Sequence, residues 1–269
     1  MPELPEVETV RRGLENHIKH LTILKSDVHY PPIVDHQQKE LSQLWPQRIH
    51  AIKRVGKYLI FILDDVSLVI HLRMEGKFYI KSDQPIDKHE HVVFHLSNHM
   101  QLRYHDVRKF GRILIKDKFN YLNELPLSKL AKEPYDLDLE SFYKKIKSRN
   151  QAIKTVCLDQ TVIAGLGNIY VDETLFLAKI HPEKKANTLN KKQAEMILKN
   201  AKEVLDFATQ LGGSTIRSYQ SSLGIHGRFQ NELKIHMKKD QPCIQCQTLI
   251  QKIRVGGRGT YVCHECQKK

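Results

Sequence analysis

The first residues of the chain bring a potential amine nucleophile close to two carboxylates. The sequence opens with Met1 and Pro2, and methionine ahead of a small residue is usually removed after synthesis. The secondary amine of Pro2 would then be free to form a Schiff base with a sugar aldehyde. An α-amino group titrates at roughly 7.7–8.0, so part of it is uncharged near neutral pH. Glu3 and Glu6 could transfer protons beside it, whereas the alternative is an ordinary terminus leading into a capped helix.

Four of the five cysteines form two Cys-x2-Cys pairs near the end of the chain: Cys243, Cys246, Cys263 and Cys266. This spacing predicts a tetrahedral zinc site, with two disulfides as the alternative. Four thiolates leave no open coordination position, so the expected zinc is structural. The fifth cysteine, Cys157, lies in an apolar helical run and is predicted to be a buried thiol.

The composition indicates a polyanionic partner. The formal net charge is +13, from 43 Lys and Arg against 30 Asp and Glu. Such an excess is typical of nucleic-acid binding, with a ribosomal or membrane-surface role as the alternative. No run approaches the roughly 20 apolar residues of a membrane span, and the N-terminus lacks the apolar segment of a signal peptide. We therefore expect a soluble intracellular protein.

The first half should contain one helix followed by many short strands. Pro5 suits the first turn of a helix, and apolar residues then follow at helical spacing: Val7, Val10, Leu14 and Ile18. Pro2 and Glu3 should therefore lie just ahead of a helix N-terminus, whose positive partial charge favours ionised Glu6 and an uncharged amine. From about 22 to 116, short alternating apolar runs predict an antiparallel sandwich or barrel. A short helix is predicted over 35–44.

The second half should be helical. A helix is predicted from Leu137 to Ser148, and a sharp glycine turn precedes another from Ile169 to Lys179, with Asn168 as its N-cap. A long amphipathic helix follows and ends at Gly212-Gly213. Its predicted core face comprises Ala194, Ile197, Leu198, Ala201, Leu205 and Ala208.

These patterns predict an α+β chain with three parts: an antiparallel β-sandwich domain over 1–130, a helical domain over 131–228 and a four-cysteine zinc finger over 229–269. Between the two cysteine pairs, residues 255–260 have the sequence of a hairpin turn. Its glycines would allow a phosphate backbone to approach, and Arg258 could bind it. Nucleic acid is expected in a cleft between the two larger domains.

Several motifs, in their order along the chain, resemble those of bacterial formamidopyrimidine-DNA glycosylase, a family that removes oxidised purines from DNA. They are Pro2 to Leu14, His71 to Gly76, Asp106 to Gly111, Gly165 to Tyr170 and the four-cysteine end. Each motif alone is weak to moderate, but their joint order over nearly the whole length is specific. The resemblance implies that the two helices around the glycine turn form a helix–two-turn–helix DNA-binding element.

The resemblance implies a bifunctional glycosylase and lyase with one structural Zn²⁺. Pro2 would attack C1′ of the damaged nucleotide, Glu3 would donate the proton that opens the sugar ring, and Glu6 would support the nucleotide or the catalytic geometry. Lys57 would assist base opening and β-elimination, and Arg258 would assist δ-elimination. The implied substrates are 8-oxoguanine, formamidopyrimidines and abasic sites in double-stranded DNA.

The resemblance also implies a set of DNA-contacting residues. An enzyme that acts on a base inside a duplex must extrude it, and a side-chain wedge then fills the gap. Met74, Arg108 and Phe110 match the family's void-filling set, with core packing as the alternative for the two apolar residues. The other matching positions, which by themselves would be ordinary surface or turn residues, are His89, Arg149, Lys154, Asn168 and Tyr170.

Two segments depart from the family pattern. Residues 221–228 match a stretch that folds over the flipped base, but Leu223 and Ile225 lie where acidic or polar residues are more usual. This difference leaves the base preference open. His236 stands where the family has a phosphate-contacting tyrosine.

Two alternative functions remain. An endonuclease VIII-type glycosylase prefers oxidised pyrimidines and typically begins Pro-Glu-Gly-Pro-Glu, so Leu4 argues against it. A non-catalytic zinc protein that binds DNA would need neither a processed N-terminus nor Glu3. The expectation is a monomeric bacterial repair enzyme of the cytoplasm, associated with the nucleoid and not with a membrane.

Overall fold

The computed structural model describes residues 1–35, 40–214 and 227–269. The chain divides into two compact units. The first comprises Met1–Ser128 with the described residues between 212 and 227, and the second comprises Lys129–Leu211 with Arg228–Lys269. The helical segment and the cysteine-rich end therefore belong to one unit. The domain boundaries at 130 and 228 stay predictions.

The first unit begins with helix α1 (Leu4–Ile18), and its apolar residues at the predicted helical spacing are all buried. The strands that follow are β1 (Thr22–Val28), β2 (Val34–Asp35), β3 (Gln47–Arg48), β4 (Ala51–Val55), β5 (Tyr58–Ile62), β6 (Val66–His71), β7 (Lys77–Lys81), β8 (Glu90–Leu96), β9 (Gln101–His105) and β10 (Arg112–Asp117). In the described part of the predicted helix over 35–44, only Leu41–Gln43 form a short 3-10 turn, and residues 36–39 lie outside the described ranges.

These strands form two five-stranded sheets, in the orders β3-β1-β8-β9-β7 and β2-β10-β6-β5-β4. All named pairs in them are antiparallel except β2 with β10, which is parallel. Apolar side chains of both sheets and of α1 meet in one core, with Phe94 from the first sheet and Phe61 from the second both fully buried. Burying one such side chain contributes about 1.5–3 kcal/mol. The predicted β-sandwich is therefore confirmed.

The second unit contains α2 (Leu139–Lys147), α3 (Ile153–Leu158), α4 (Asn168–Leu177) and α5 (Lys191–Gln210). Helix α2 starts later than predicted because the Asp138 carboxylate caps it, accepting the Ser141 N–H at 2.9 Å. Gly167, not Asn168, occupies the cap position of α4. The predicted core face of α5 is buried. Gly212 and Gly213 follow it with φ of 76° each, a conformation that favours glycine.

The last strands, β11 (Gln251–Val255) and β12 (Arg258–Val262), pair as an antiparallel hairpin. Gly256 and Gly257 turn it with φ of 55° and 77°, as a two-residue hairpin turn requires. A small apolar cluster joins this end of the chain to α4 through Phe176, Ile235 and Ile250. Over the ranges that the structure describes, no helix is both long and apolar enough to cross a membrane.

Candidate functional site

The start of α1 holds Glu3 and Glu6 in one hydrogen-bonded arrangement. The Glu3 N–H donates to Oε2 of Glu6 at 2.8 Å, and the two residues form a reciprocal capping box. Glu3 is 3% exposed and Glu6 is 5% exposed, and Pro2 directly ahead of them is also buried. The helix N-terminus therefore gathers the proline and both carboxylates that the sequence singles out.

Glu6 also binds a distant part of the first unit. Its Oε1 accepts the Ser214 N–H at 2.7 Å, across 208 positions of sequence. Gly213, with φ of +76°, lies against the same carboxylate, and a Cβ there would come within 2.6 Å of Oε1. Glu6 therefore holds the residues around it in position, and its role in the reaction stays a prediction.

Lys57 lies in the turn between β4 and β5 and is only 5% exposed. Arg54 ties this turn to α1. Its guanidinium donates to the Gly56 carbonyl at 2.9 Å and to the Glu8 carboxylate at 3.1 Å. Lys57 is therefore a buried lysine in a turn that Arg54 joins to α1.

His71 ends β6 close to Lys57, and the sequence did not single it out. Its Nδ1 accepts the Arg73 N–H at 2.9 Å, which leaves the ring proton on Nε2. Burial, followed by the charges of Arg73 and Lys57, lowers the pKa of His71 to about 3. The imidazole is therefore a neutral hydrogen-bond donor at physiological pH. It lines a cavity of about 290 Å³ together with Arg73 and Arg112.

The three predicted void-filling residues lie on two loops of the first unit. Met74 occupies the turn between β6 and β7 and is half-buried, whereas Arg108 and Phe110 lie in the exposed loop before β10. The Arg108 guanidinium lies 4.8 Å from the centre of the Phe110 ring. Phe110 is 48% exposed, so core packing does not explain it. Half-buried His89 is next to this loop, because its carbonyl accepts the Asp106 N–H at 3.0 Å.

Buried Asp106 and Tyr104 hold these loops in place. The Asp106 carboxylate accepts the N–H groups of Arg108 at 3.0 Å and Gly111 at 2.8 Å. A Cβ on Gly111 or on Gly76 would overlap the Tyr104 hydroxyl. Both loops therefore pack against one tyrosine, and only glycine fits at either contact.

In the second unit Lys154 is buried, so its interpretation as a surface charge is wrong. Its Nζ donates to Oδ1 of Asp172 at 2.7 Å, to Oγ1 of Thr260 at 2.8 Å and to the Gly259 carbonyl at 3.2 Å. Asn168 donates to the same Gly259 carbonyl at 3.0 Å, which explains why its side chain does not cap α4. Arg258, directly before Gly259, is exposed.

Asp172 and Glu173 of α4 hold the segment that contains His236. Oδ2 of Asp172 lies 2.8 Å from Nδ1 of His236. Glu173 accepts the N–H groups of Lys234, Ile235 and His236 at 2.9–3.0 Å. Burial raises the pKa of Glu173, and these three donors offset the increase only in part.

Two further predicted DNA contacts differ in their surroundings. Tyr170 is fully buried and packs on Phe229, with ring centres 5.4 Å apart. Arg149 is 40% exposed at its side chain and lies 3.6 Å from the Asp159 carboxylate. Arg149 can therefore reach a ligand directly, whereas the ring of Tyr170 contributes to packing.

The sulfur atoms of Cys243, Cys246, Cys263 and Cys266 all lie within 4.8 Å of one another. The pairs Cys243–Cys266 and Cys246–Cys263 are 3.8 and 3.4 Å apart, too far for disulfides. Zn–S bonds of about 2.3 Å in a tetrahedron place sulfurs roughly 3.8 Å apart, so the donors fit one zinc ion. The ion would be closed off by four thiolates and would fix the hairpin.

The residues without a predicted role are mostly buried or paired charges: Glu8, His71, Asp106, Asp172 and Glu173. Burial opposes the ionisation of Glu8, but its neighbouring arginines outweigh this effect and lower its pKa. Two adjacent carboxylates in the otherwise apolar α4 were a visible signal, because charges are buried only when they have partners. The atypical stretch 221–228 has only its last two residues in the described ranges.

Family models match the chain in three consecutive parts. The formamidopyrimidine-DNA glycosylase N-terminal domain matches residues 1–113, and the H2TH domain of the same glycosylase matches 130–220. The zinc finger found in FPG and IleRS matches 240–269.

Curated relatives match from end to end. The formamidopyrimidine-DNA glycosylases of Bacillus licheniformis and Bacillus subtilis are each 46% identical over 275 residues, with full coverage of both chains. A complex of Lactococcus lactis Fpg with abasic-site DNA matches with a TM-score of 0.93 at 43% identity, again with full coverage of both chains. A second complex of Lactococcus lactis Fpg, with DNA containing an oxidised pyrimidine, matches with a TM-score of 0.92 at 43% identity and full coverage of both chains. The chain therefore belongs to the formamidopyrimidine-DNA glycosylase family.

Proposed function

We propose that this DNA glycosylase of base excision repair removes 8-oxoguanine and formamidopyrimidines from duplex DNA through a Schiff base at Pro2. The observation that carries the proposal is the first turn of α1, which gathers Pro2, Glu3 and Glu6 in one buried arrangement. The helix N-terminus there favours a neutral amine, because protonation would add positive charge to its positive end.

The proposed reaction begins when the Pro2 nitrogen attacks C1′ and the bond from C1′ to the base breaks. The base leaves with the bonding electrons and takes up the proton that the Pro2 nitrogen loses. Glu3 protonates O4′, the sugar ring opens and an iminium forms between Pro2 and C1′. Loss of a C2′ proton breaks the C3′–O3′ bond, assisted by Lys57. Loss of a C4′ proton then breaks the C5′–O5′ bond, assisted by Arg258. Water finally hydrolyses the iminium and frees Pro2.

The exposure of individual side chains supports the proposed DNA contacts. Exposed Phe110 and half-buried Met74 fill the gap left by the flipped nucleotide, and Arg108 hydrogen-bonds the orphaned base. His89 and Arg149 bind the phosphate backbone from their loops, and Asn168 binds it from the first turn of α4. Tyr170 and Lys154 are buried in the second unit and support its own DNA-contacting residues from inside. We also infer that the enzyme acts as a monomer in the bacterial cytoplasm, associated with the nucleoid.

Borohydride trapping tests the mechanism. Wild-type protein, with removal of Met1 confirmed by intact mass, is incubated with a duplex carrying 8-oxoguanine opposite cytosine. We expect a covalent adduct that maps to Pro2. Pro2→Gly should cut the trapping rate by on the order of tenfold or more, since the ring amine is lost, but should still bind abasic-analogue DNA. Pro5→Ala, a second proline at the same helix start, is the matched control.

Base release that survives both Pro2→Gly and Glu3→Gln would contradict the mechanism. The endonuclease VIII-type alternative is tested separately by competition between 8-oxoguanine and thymine glycol duplexes. The relative solved with an oxidised pyrimidine in its DNA is itself an Fpg, so it motivates a test of such lesions without favouring the other type of enzyme. Faster release of thymine glycol would favour that alternative.

A further inference from the structure

Helix α3 supports the turn of the zinc hairpin through two consecutive residues. Lys154 binds the Gly259 carbonyl and the Thr260 hydroxyl at 3.2 and 2.8 Å. Its neighbour Thr155 packs under the turn itself, with Oγ1 only 2.5 Å from where a Cβ of Gly256 would lie. The backbone on both sides of Arg258 is thereby fixed against α3.

Lys154 is not placed to bind DNA directly. Its side chain and that of Asp172 are both 0% exposed, and they form an ion pair of 2.7 Å. Moving the ammonium to a phosphate would leave the Asp172 charge buried and uncompensated, which proteins strongly disfavour. Asp172 has a second role as well, because its other oxygen orients the His236 ring at 2.8 Å.

The Arg258 side chain, in contrast, is exposed, so the hairpin backbone sets where its guanidinium can reach. The Gly259 carbonyl directly after Arg258 accepts from both Lys154 and Asn168. A charged group on a turn acts on a substrate only if the turn is preorganised, and an error of about 1 Å can cost on the order of 100-fold in rate.

We propose that Lys154 and Asp172 are positioning residues that act on DNA and on the elimination chemistry through Arg258, without touching the nucleic acid. This inference rests on the role given to Arg258 in the proposed function. It replaces the direct phosphate contact that the sequence suggested for Lys154.

A double-mutant cycle on DNA affinity tests the proposal. The ligand is a duplex carrying a tetrahydrofuran abasic analogue, and the variants are Lys154→Met, Arg258→Ala and their combination. We expect Lys154→Met to weaken binding by about fivefold or more with Arg258 present, and by less than about twofold once Arg258 is alanine. Equal effects in both backgrounds would show that Lys154 acts on DNA binding independently of Arg258, and would overturn the proposal.

Further variants separate positioning from loss of folding. Lys154→Met combined with Asp172→Asn removes the uncompensated buried charge. Thr260→Val removes two hydrogen bonds at nearly constant shape, because the Thr260 hydroxyl accepts from Lys154 at 2.8 Å and donates to the Arg258 carbonyl at 3.0 Å. Both should weaken binding in the same Arg258-dependent manner. Val156→Ala is the matched control, because Val156 is buried in α3 but gives no side-chain bond to the hairpin. An equal loss of affinity in Val156→Ala would mean that stability alone explains the effect.

The ratio of δ- to β-elimination products on an abasic-site duplex gives an independent measurement. We expect Lys154→Met/Asp172→Asn to lower this ratio by about tenfold, in the same direction as Arg258→Ala. An unchanged ratio in an active variant would refute the positioning role. If wild-type protein forms no trapped Schiff base, the proposed function fails, and the binding cycle still decides whether Lys154 acts through Arg258.

Discussion

At the scale of single residues, the buried Glu6 carboxylate joins the start of α1 to a distant segment of the first unit. Its two oxygens accept the N–H groups of Glu3 and Ser214. Glu6→Gln keeps the shape but replaces one acceptor with a donor, so one buried N–H loses its partner. We expect a loss of about 1–3 kcal/mol in the free energy of unfolding, together with slower base release. Urea unfolding and single-turnover kinetics measure the two effects.

Glu15→Gln is the control for this experiment, because Glu15 belongs to the same helix but pairs with Arg11 near the surface. It should change stability by less than about 1 kcal/mol. Equal losses in the two variants would contradict the special position of Glu6.

His71 gives a second prediction at this scale. Its pKa of about 3 in the folded state lies far below the ordinary value near 6.5. Between about pH 3 and pH 6.5, His71 therefore binds a proton in the unfolded chain but not in the folded chain. Stability from this group is present in full above about pH 6.5 and is lost as the pH falls towards 3. His71→Gln should remove that part of the pH dependence.

NMR spectroscopy of ¹⁵N-labelled imidazole checks the same residue directly. His71 should keep the proton on Nε2 from pH 5 to pH 8 without titrating. A titration of His71 near pH 6.5 would show that the ring is more open to water than its position indicates.

At the scale of elements, the loop before β10 separates a contact role from a packing role. Phe110 is 48% exposed, so Phe110→Ala should leave stability within about 0.5 kcal/mol while weakening the binding of abasic-analogue DNA. Gly111→Ala should lower both stability and DNA affinity, because the alanine Cβ would overlap the Tyr104 hydroxyl. The expected loss in the free energy of unfolding is about 1–3 kcal/mol.

Thermal or urea unfolding and fluorescence anisotropy of labelled DNA measure these two variants in parallel. A normal affinity in Phe110→Ala would argue against the void-filling role. A stable Gly111→Ala would show that the loop can move away from Tyr104 without cost.

At the scale of the whole molecule, the net charge of +13 should govern DNA affinity. Each phosphate contact releases counterions, so the slope of log K against log salt is about −0.9 per contact. We expect a clearly negative slope, which Arg258→Ala should reduce in magnitude by about 1. Titrations from low to high salt measure both slopes, and an affinity independent of salt would contradict a basic binding surface.

The sequence by itself determined the features that depend on residues near one another in the chain. The apolar spacing in α1, the alternation in the strands and the Cys-x2-Cys pairs each reflect a local period or a local geometry. The order of the motifs determined the family. The position of Pro2 and Glu3 ahead of a helix was also predictable, because a helix start is a local event.

Only the tertiary structure decided how charged groups are used. Lys154 meets Asp172 and Thr260, which are 18 and 106 positions away, and Glu6 meets Ser214 across 208 positions. The low pKa of His71 likewise comes from burial and from neighbouring charges. Solvation and partners set the energy of a charged side chain, and both are supplied by segments that only folding brings together, so no local pattern distinguishes a buried lysine from a surface one.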